Sequence, residues 1–528
     1  MNNSELVQQV VFALKDLNIK EIIVCAGARN IPIVDFLEKQ NKQEKFLVTS
    51  FFEERSAAFY ALGRVKASGR PVVVITTSGT AAVETFPAVV EAYYQGLPLV
   101  VITADRPKSY RGSGAPQAIE QQGLYQKYCE HSVDWDHQEK DFLIQFNWQR
   151  PFHFNVCFEE PLLDHPLGPF QKKFRIQIEE SIFPKYTLKA GQRNPLVIVS
   201  ELNSAHREMV VSFIKDNNLY FIAESLSGIK NHSSLKDLEL DHLFYSLSNQ
   251  ESIRVCKDNF DSIIRIGGVP TLRLWRDLEY ELKDLEVLSF SERTFSGLAR
   301  PSQVFHLKLL SEFKVNGRKN EALEYLNKEI GNVKVKLLKQ LQNSEQNFFL
   351  SLAEVVGHDP LYLGNSLPIR EWDEFSDFDQ KKQLVYGNRG ANGIDGQVST
   401  YLGWSRDLKR SWCVIGDLTA LYDLVALTMV TPAKKTQKCI VVVNNSGGQI
   451  FSRLFKNQKY LNGHKLGFKN WAQMFGWDYR EVKTSAALKK IPKSKNVIVE
   501  IKIKNQYSKK FSMKSKEQAQ KILMVARK

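Results

Sequence analysis

Cysteine is scarce in this 528-residue chain: Cys25, Cys129, Cys157, Cys256, Cys413 and Cys439 are scattered without a CxxC pair. That excludes a small disulfide-stapled module, and the six read as reduced core residues of a cytoplasmic protein. Long apolar runs are missing too. The longest, such as Val72–Ile75, Leu97–Ile102 and Cys439–Val443, are strand-sized, far below the ~18–20 residues of a membrane span. The N-terminus MNNSELVQQVVFALKDL has no basic leader followed by a cleavable apolar core, so it predicts an amphipathic helix from Asn3 or Ser4 and not a secretion signal. Acidic residues are outnumbered, 58 to 72, for a net charge of +14. Residues 501–528 hold nine basic residues and one acidic. The excess is thus largely a C-terminal feature, read as a solvated amphipathic helix end. Neither a zinc-ligand spacing nor an aromatic-studded basic motif supports nucleic-acid binding.

What is present is ordinary globular composition, 43% apolar and 25% charged, at a length that suits about three or four domains. Short β-branched runs alternate with helix-length amphipathic segments, the pattern of parallel α/β architecture. A first block carries strands at Glu21–Cys25, Phe46–Ser50, Val72–Thr76, Leu99–Thr103 and Phe152–Cys157, closing in the linker-like EEPLLDHPLGP. A second carries Pro195–Ser200, Tyr220–Ala223, Ser262–Ile266 and Leu285–Phe290. A charged helical run over about 320–346 leads to a third, with Leu361–Leu363, Leu384–Tyr386, Trp412–Ile415, Cys439–Val443 and Val497–Ile503. The expected boundaries are 1–180, 181–345 and 346–528, each domain a mainly parallel sheet flanked by helices.

The sharpest chemical pattern is Gly416-Asp417 at the end of one strand and Asn444-Asn445-Ser446-Gly447-Gly448 at the end of the next. Asp417 and Asn445 are 28 residues apart, one strand–helix–strand crossover, so both emerge at the carboxyl edge of neighbouring strands, where open α/β sheets bind ligands. A carboxylate, an amide oxygen and a free backbone carbonyl beyond it make a hard, partial oxygen shell for Mg²⁺, completed by ligand phosphates and water. Either pair alone also suits a turn after a strand. Closely spaced Gly387, Gly390, Gly393 and Gly396 form a glycine-rich loop but not a dinucleotide fingerprint.

A GD pair followed about thirty residues later by NN resembles the thiamine-diphosphate-dependent decarboxylase superfamily. GDLTALYDL (416–424), VVNNSGGQIF (442–451), NRGANGID (388–395), GNSLPIR (364–370), TADRP (103–107), TSGTA (77–81) and AGARNIP (26–32) together resemble its 2-succinyl-5-enolpyruvyl-6-hydroxy-3-cyclohexene-1-carboxylate synthase family, over nearly the whole chain. The resemblance implies a pyrimidine-binding, a central and a diphosphate-binding domain. It implies thiamine diphosphate with Mg²⁺ (or Mn²⁺) lying across two chains, hence a homodimer or homotetramer, and the small-molecule substrates 2-oxoglutarate and isochorismate. Asp417, Asn445 and Gly447 would hold the metal. Gly416, Leu418, Gly448, Gln449, Ile450, Thr77, Gly79 and Ile394 would contact the cofactor. Glu54, at a strand-to-helix turn that equally suits a helix N-terminus, would be the acid at the pyrimidine N1′, with Glu53 peripheral.

Both substrates are dianions, and arginine matches carboxylates bidentately. The resemblance assigns Ser366, Arg370 and Arg389 as catalytic and carboxylate-binding, and Arg29, Arg106, Gln117, Arg273 and Phe451 to substrate. The chain departs from the family's PGSRSxP segment at Ala28 and Asn30, from GANQAI at Pro116, and in the central segment GGVPTLRLW, where only Arg273 is left as a cation. Two other readings stay open: another thiamine-diphosphate-dependent 2-oxo acid decarboxylase or carboligase, and a non-catalytic basic scaffold for nucleic acid.

Overall fold

The computed structural model describes all residues except 138–141, 164–170, 185–192, 377–378, 380–382, 430–435, 453, 456, 492–494 and 527–528, and leaves aside the side chains of 40–44, 142 and 458. Positions 164–169 of the expected linker therefore lie outside the described residues. The chain forms two compact units. One is Met1–Ser181 with Gly390–Asp407 and Leu421–Lys435; the other is Ile182–Arg389 with Leu408–Ala420 and Thr436–Lys528.

The first unit is built on a six-stranded sheet ordered Leu47–Phe51, Glu21–Cys25, Val72–Thr76, Leu99–Asp105, Phe152–Cys157, Ser132–Trp135, and every ladder in it is parallel. Val72–Thr76 and Leu99–Asp105 are buried along their whole length, which is why they read as unbroken apolar runs and not as alternating ones. The helix Glu54–Ser68 has every residue from Ser56 to Val65 buried. Its partner is Gln397–Ser405, also buried throughout. A Cβ on Gly63 would sit 2.1 Å from the Thr400 carbonyl oxygen, and one on Gly403 would sit 2.1 Å from that of Tyr60. Glycine at both positions lets the two backbones touch. Arg64 locks the pair, binding both Glu21 carboxylate oxygens and the Gly403 carbonyl.

The second unit holds two all-parallel sheets. A five-stranded one runs Phe221–Ala223, Pro195–Val199, Ser262–Ile266, Glu286–Ser291, Gln303–His306. A six-stranded one runs Val385–Tyr386, Leu361–Leu363, Arg410–Gly416, Gln437–Asn444, Val497–Lys502, Asp478–Val482. The charged run over 320–346 is not one helix. Glu321–Gln340 ends, and Ser344 then caps Glu345–Val356 through the Asn347 N–H. The basic C-terminus is the helix Asn505–Val525, anchored by Phe511, Ala519 and Leu523, so only part of its surface is solvated. No described helix is long and apolar enough to cross a membrane.

Candidate active site

In the second unit, parallel pairing brings the ends of Leu361–Leu363, Val385–Tyr386, Arg410–Gly416 and Gln437–Asn444 to one sheet edge. Asp417 and Asn445 follow directly on two adjacent strands there, both buried. Asp417 Oδ1 accepts the Leu418 N–H at 2.7 Å and Oδ2 accepts the Gly447 N–H at 2.9 Å. His464 Nε2 lies 3.4 Å from Oδ2. Burial nonetheless raises the Asp417 carboxyl above its ordinary range, against these donors. A buried carboxylate in need of positive charge is the condition a divalent cation satisfies.

The two asparagines divide the work. Asn444 turns inward, its amide donating to Glu500 and to the Leu466 carbonyl. Asn445 donates its amide N–H to Glu345 at 3.4 Å, which leaves Oδ1 as the outward acceptor. Gly447 adopts φ +122, and a Cβ there would stand 2.5 Å from the Leu461 carbonyl, so glycine is required to bring its carbonyl past that strand end. Among the described residues no three His, Cys, Asp or Glu side chains converge as a metal cage. One carboxylate, one amide oxygen and one backbone carbonyl are the hard donors Mg²⁺ or Mn²⁺ takes alongside phosphate oxygens, so the residues fit a metal–diphosphate group.

Ser366 and Arg389 leave the same edge. Ser366 opens the helix Leu367–Phe375 at φ +75, a strained value for a serine that places its hydroxyl at a helix start. Arg389 is held by Asn365 Oδ1 at 2.6 Å, and Asn365 in turn donates to the Asn388 carbonyl. Arg370 has its guanidinium pKa lowered by burial and then by the Arg389 charge. A cavity of about 670 Å³ is lined by Arg370, Gln449 and Ile450 together with Glu345, Asn505 and Ser508. Lys509 and Lys516 of the C-terminal helix also face it. Phe451 follows Ile450 and is 45% exposed. Arg273 stands apart, 55% exposed at its side chain and paired with Asp277 at 3.0 Å; Arg276 is the neighbouring cation whose charge reaches Arg370.

The first unit gathers a second set at its own sheet edge. Glu54 begins its helix directly after Leu47–Phe51. Burial, then the charges of Glu53 and Glu84, raise its carboxyl pKa. Glu53, expected to be peripheral, caps the helix by accepting the Ser56 N–H at 2.9 Å. The Arg29 N–H reaches Thr77 Oγ1 at 3.3 Å, and its guanidinium pairs with Glu160 at 3.0 Å. Gly79 sits at φ +83, where a Cβ would lie 3.2 Å from the Gln117 Cα. Arg106 Nε donates to the Pro116 carbonyl at 3.2 Å. Arg29, Thr77, Gly79, Gln117 and Arg106 thus share one rim. Ile394 falls in this unit too, in the segment tied down when Gly390 and Ala391 donate to Glu91.

Two departures from the family pattern have a structural account. Asn30 Oδ1 accepts the Gly27 N–H and its amide donates to the Cys25 carbonyl, so this asparagine locks the turn that carries Arg29. Pro116 meets the Arg106 side chain through its own carbonyl, a contact that does not depend on the side chain at position 116. Glu345, Asn505 and Gln121, which holds the Gly79 N–H at 2.9 Å, escape sequence reasoning because each meets its partner only through the fold.

The family model described as "Thiamine pyrophosphate enzyme, N-terminal TPP binding domain" matches residues 4–124. The chain is 42% identical to the 2-succinyl-5-enolpyruvyl-6-hydroxy-3-cyclohexene-1-carboxylate synthase of Bdellovibrio bacteriovorus, covering 91% of this chain and 92% of that one. It is 35% identical to the protein of the same name from Akkermansia muciniphila, over 88% and 89%. A Bacillus pumilus protein of that name is 30% identical, over 88% of each.

Proposed function

The chain belongs to the thiamine-diphosphate-dependent 2-succinyl-5-enolpyruvyl-6-hydroxy-3-cyclohexene-1-carboxylate synthase family, and on that premise we propose that it decarboxylates 2-oxoglutarate and joins the remaining four-carbon unit to isochorismate. CO₂ and the product that names the family are released, a step of menaquinone biosynthesis. The cofactor, when bound, supplies the electron sink for the decarboxylation. Everything else falls to the chain's own residues.

Asp417, Asn445 Oδ1 and the Gly447 carbonyl would hold Mg²⁺ or Mn²⁺, with Gly416, Leu418, Gly448, Gln449 and Ile450 around the diphosphate side. Glu54 would hold a proton at the pyrimidine N1′, a role its raised pKa suits. Thr77 and Gly79 belong to the same pyrimidine side, and Ile394 would buttress the bent cofactor. Ser366, Arg370 and Arg389 would orient the carboxylates of 2-oxoglutarate, while Arg29, Arg106 and Gln117 serve isochorismate and Phe451, with Ile450, forms an apolar wall beside the reacting carbon. Arg273, already paired with Asp277, is the weakest member of the substrate set.

The domains of this reading are 1–180, 181–345 and 346–528. The working assembly is two or four copies, with the pyrimidine side of each site from one subunit and the diphosphate side from another. Six free cysteines, all buried, suit a reducing cytoplasm.

The observation that carries the reading is the likeness to these synthases across about nine-tenths of both chains. The test is CO₂ release by purified protein loaded with thiamine diphosphate and Mg²⁺, offered 2-oxoglutarate, pyruvate or benzoylformate. Preference for 2-oxoglutarate is expected. Preference for either alternative would reassign the chain to another decarboxylase or carboligase.

A further inference from the structure

Asn445 can serve a cation only if its amide is turned so that oxygen, and not nitrogen, faces the site. An asparagine amide has no intrinsic preference between the two, so its neighbours decide. Here Nδ2 is committed to Glu345 Oε1 at 3.4 Å. A carboxylate oxygen accepts and cannot donate, so a flipped amide would set two acceptors against each other in a buried site. That conflict is what fixes the outward direction of Oδ1.

The backbone of the same residue is fixed from another direction. Asn505 Nδ2 donates to the Asn445 carbonyl at 3.0 Å, and Ser508 Oγ accepts the Glu345 N–H at 2.9 Å. The four residues close a ring: Asn505 holds Asn445, Asn445 holds Glu345, Glu345 holds Ser508, and Ser508 lies in the same helical turn as Asn505. Three of them, Glu345, Asn505 and Ser508, line the cavity that also exposes Gln449 and Ile450. The ring therefore borders the same cavity as those two residues.

We propose that Glu345 and Asn505 are positioning residues for the metal–diphosphate group, Glu345 orienting the Asn445 amide from the start of the helix Glu345–Val356 and Asn505 its carbonyl from the first turn of the C-terminal helix. This rests on the reading of Asp417, Asn445 and Gly447 as the metal-holding set. It assigns the C-terminal helix a part in the site that net charge alone did not suggest.

The test is calorimetric titration of Mn²⁺ into full-length protein saturated with thiamine diphosphate, a binding readout independent of turnover. Glu345→Ala and Asn505→Ala should each weaken Mn²⁺ about ten- to a hundredfold, the usual cost of losing a ligand's orienting partner. Glu345→Gln keeps an acceptor oxygen for Asn445 and should stay within about threefold of wild type, since its carbonyl replaces the one lost. Asn505 is at the partly exposed start of its helix, so its variant carries the test even where Glu345→Ala fails to fold. Wild-type affinity in Asn505→Ala, or a Glu345→Gln variant that folds but binds as weakly as Glu345→Ala, would overturn the proposal. Wild-type protein that takes up no Mn²⁺ with the cofactor would overturn the metal-site reading beneath it.

Discussion

Asp417 Oδ2 accepts the backbone N–H of Gly447 at 2.9 Å, across 30 residues of sequence. One hydrogen bond thus sets the distance between the only ionisable member of the proposed metal set and the carbonyl that completes it. Removing the carboxylate removes an anionic ligand and the loop's anchor together. Asp417→Ala should weaken thiamine diphosphate binding in the presence of Mg²⁺ by more than about a hundredfold, exceeding the loss from an outer partner. Calorimetry on the purified variant checks this, and unchanged affinity would remove Asp417 from the site.

Glu54→Gln keeps the side chain's size but cannot relay a proton. Exchange of the C2 hydrogen of the bound cofactor for deuterium should slow by roughly 10²–10⁴-fold, the range of general acid–base catalysis. Nuclear magnetic resonance after acid quench measures it. Exchange at the wild-type rate would transfer the role to another group.

The same substitution should act oppositely on stability. Burial, reinforced by Glu53 and Glu84, raises the Glu54 pKa in the folded chain. A raised carboxyl contributes stability below its unfolded pKa and loses it as pH rises through the folded value. Cofactor-free Glu54→Gln should therefore melt above wild type at pH 7, with the difference vanishing below about pH 4, where both states protonate the glutamate. A lower melting temperature for the variant at pH 7 would contradict this sign.

Gly403→Ala places a methyl 2.1 Å from the Tyr60 carbonyl, between two rigid backbones. Overpacking of this kind costs about 1–3 kcal/mol and occasionally more. Urea denaturation should show a lowered midpoint, and a neutral outcome would mean the two helices separate freely.

The substrate arginines should divide by unit. Arg106→Ala is expected to leave CO₂ release from 2-oxoglutarate intact while raising the isochorismate KM about ten- to a hundredfold, equivalent to loss of one charged hydrogen bond at about 1.5–3 kcal/mol. Arg370→Ala should instead slow the first half-reaction. The reverse pattern in single-turnover measurements would exchange the two assignments.

What the sequence revealed follows from burial. Val72–Thr76, Phe152–Cys157 and Ser262–Ile266 appear where their apolar runs predict them because each is buried along its length. Edge strands such as Asp478–Val482 and Ser132–Trp135 carry polar residues on exposed positions and leave no such run. The strand-end placement of Asp417 and Asn445 was legible because one crossover fixes their spacing. Glu345 and Asn505 were not, since their contacts to Asn445 span 100 and 60 residues, and a glutamate or asparagine in the first turn of a helix has an adequate local explanation. The grouping of Gly390–Asp407, Ile394 included, with the first compact unit likewise has no local signal.

The central claim is the joining of two substrates, and product mass tests it most directly. Purified protein with thiamine diphosphate, Mg²⁺, 2-oxoglutarate and isochorismate should yield a species whose mass equals the sum of both substrates less CO₂, absent when either substrate is omitted. Sustained CO₂ release from 2-oxoglutarate without that species would contradict the synthase account and leave a simple decarboxylase.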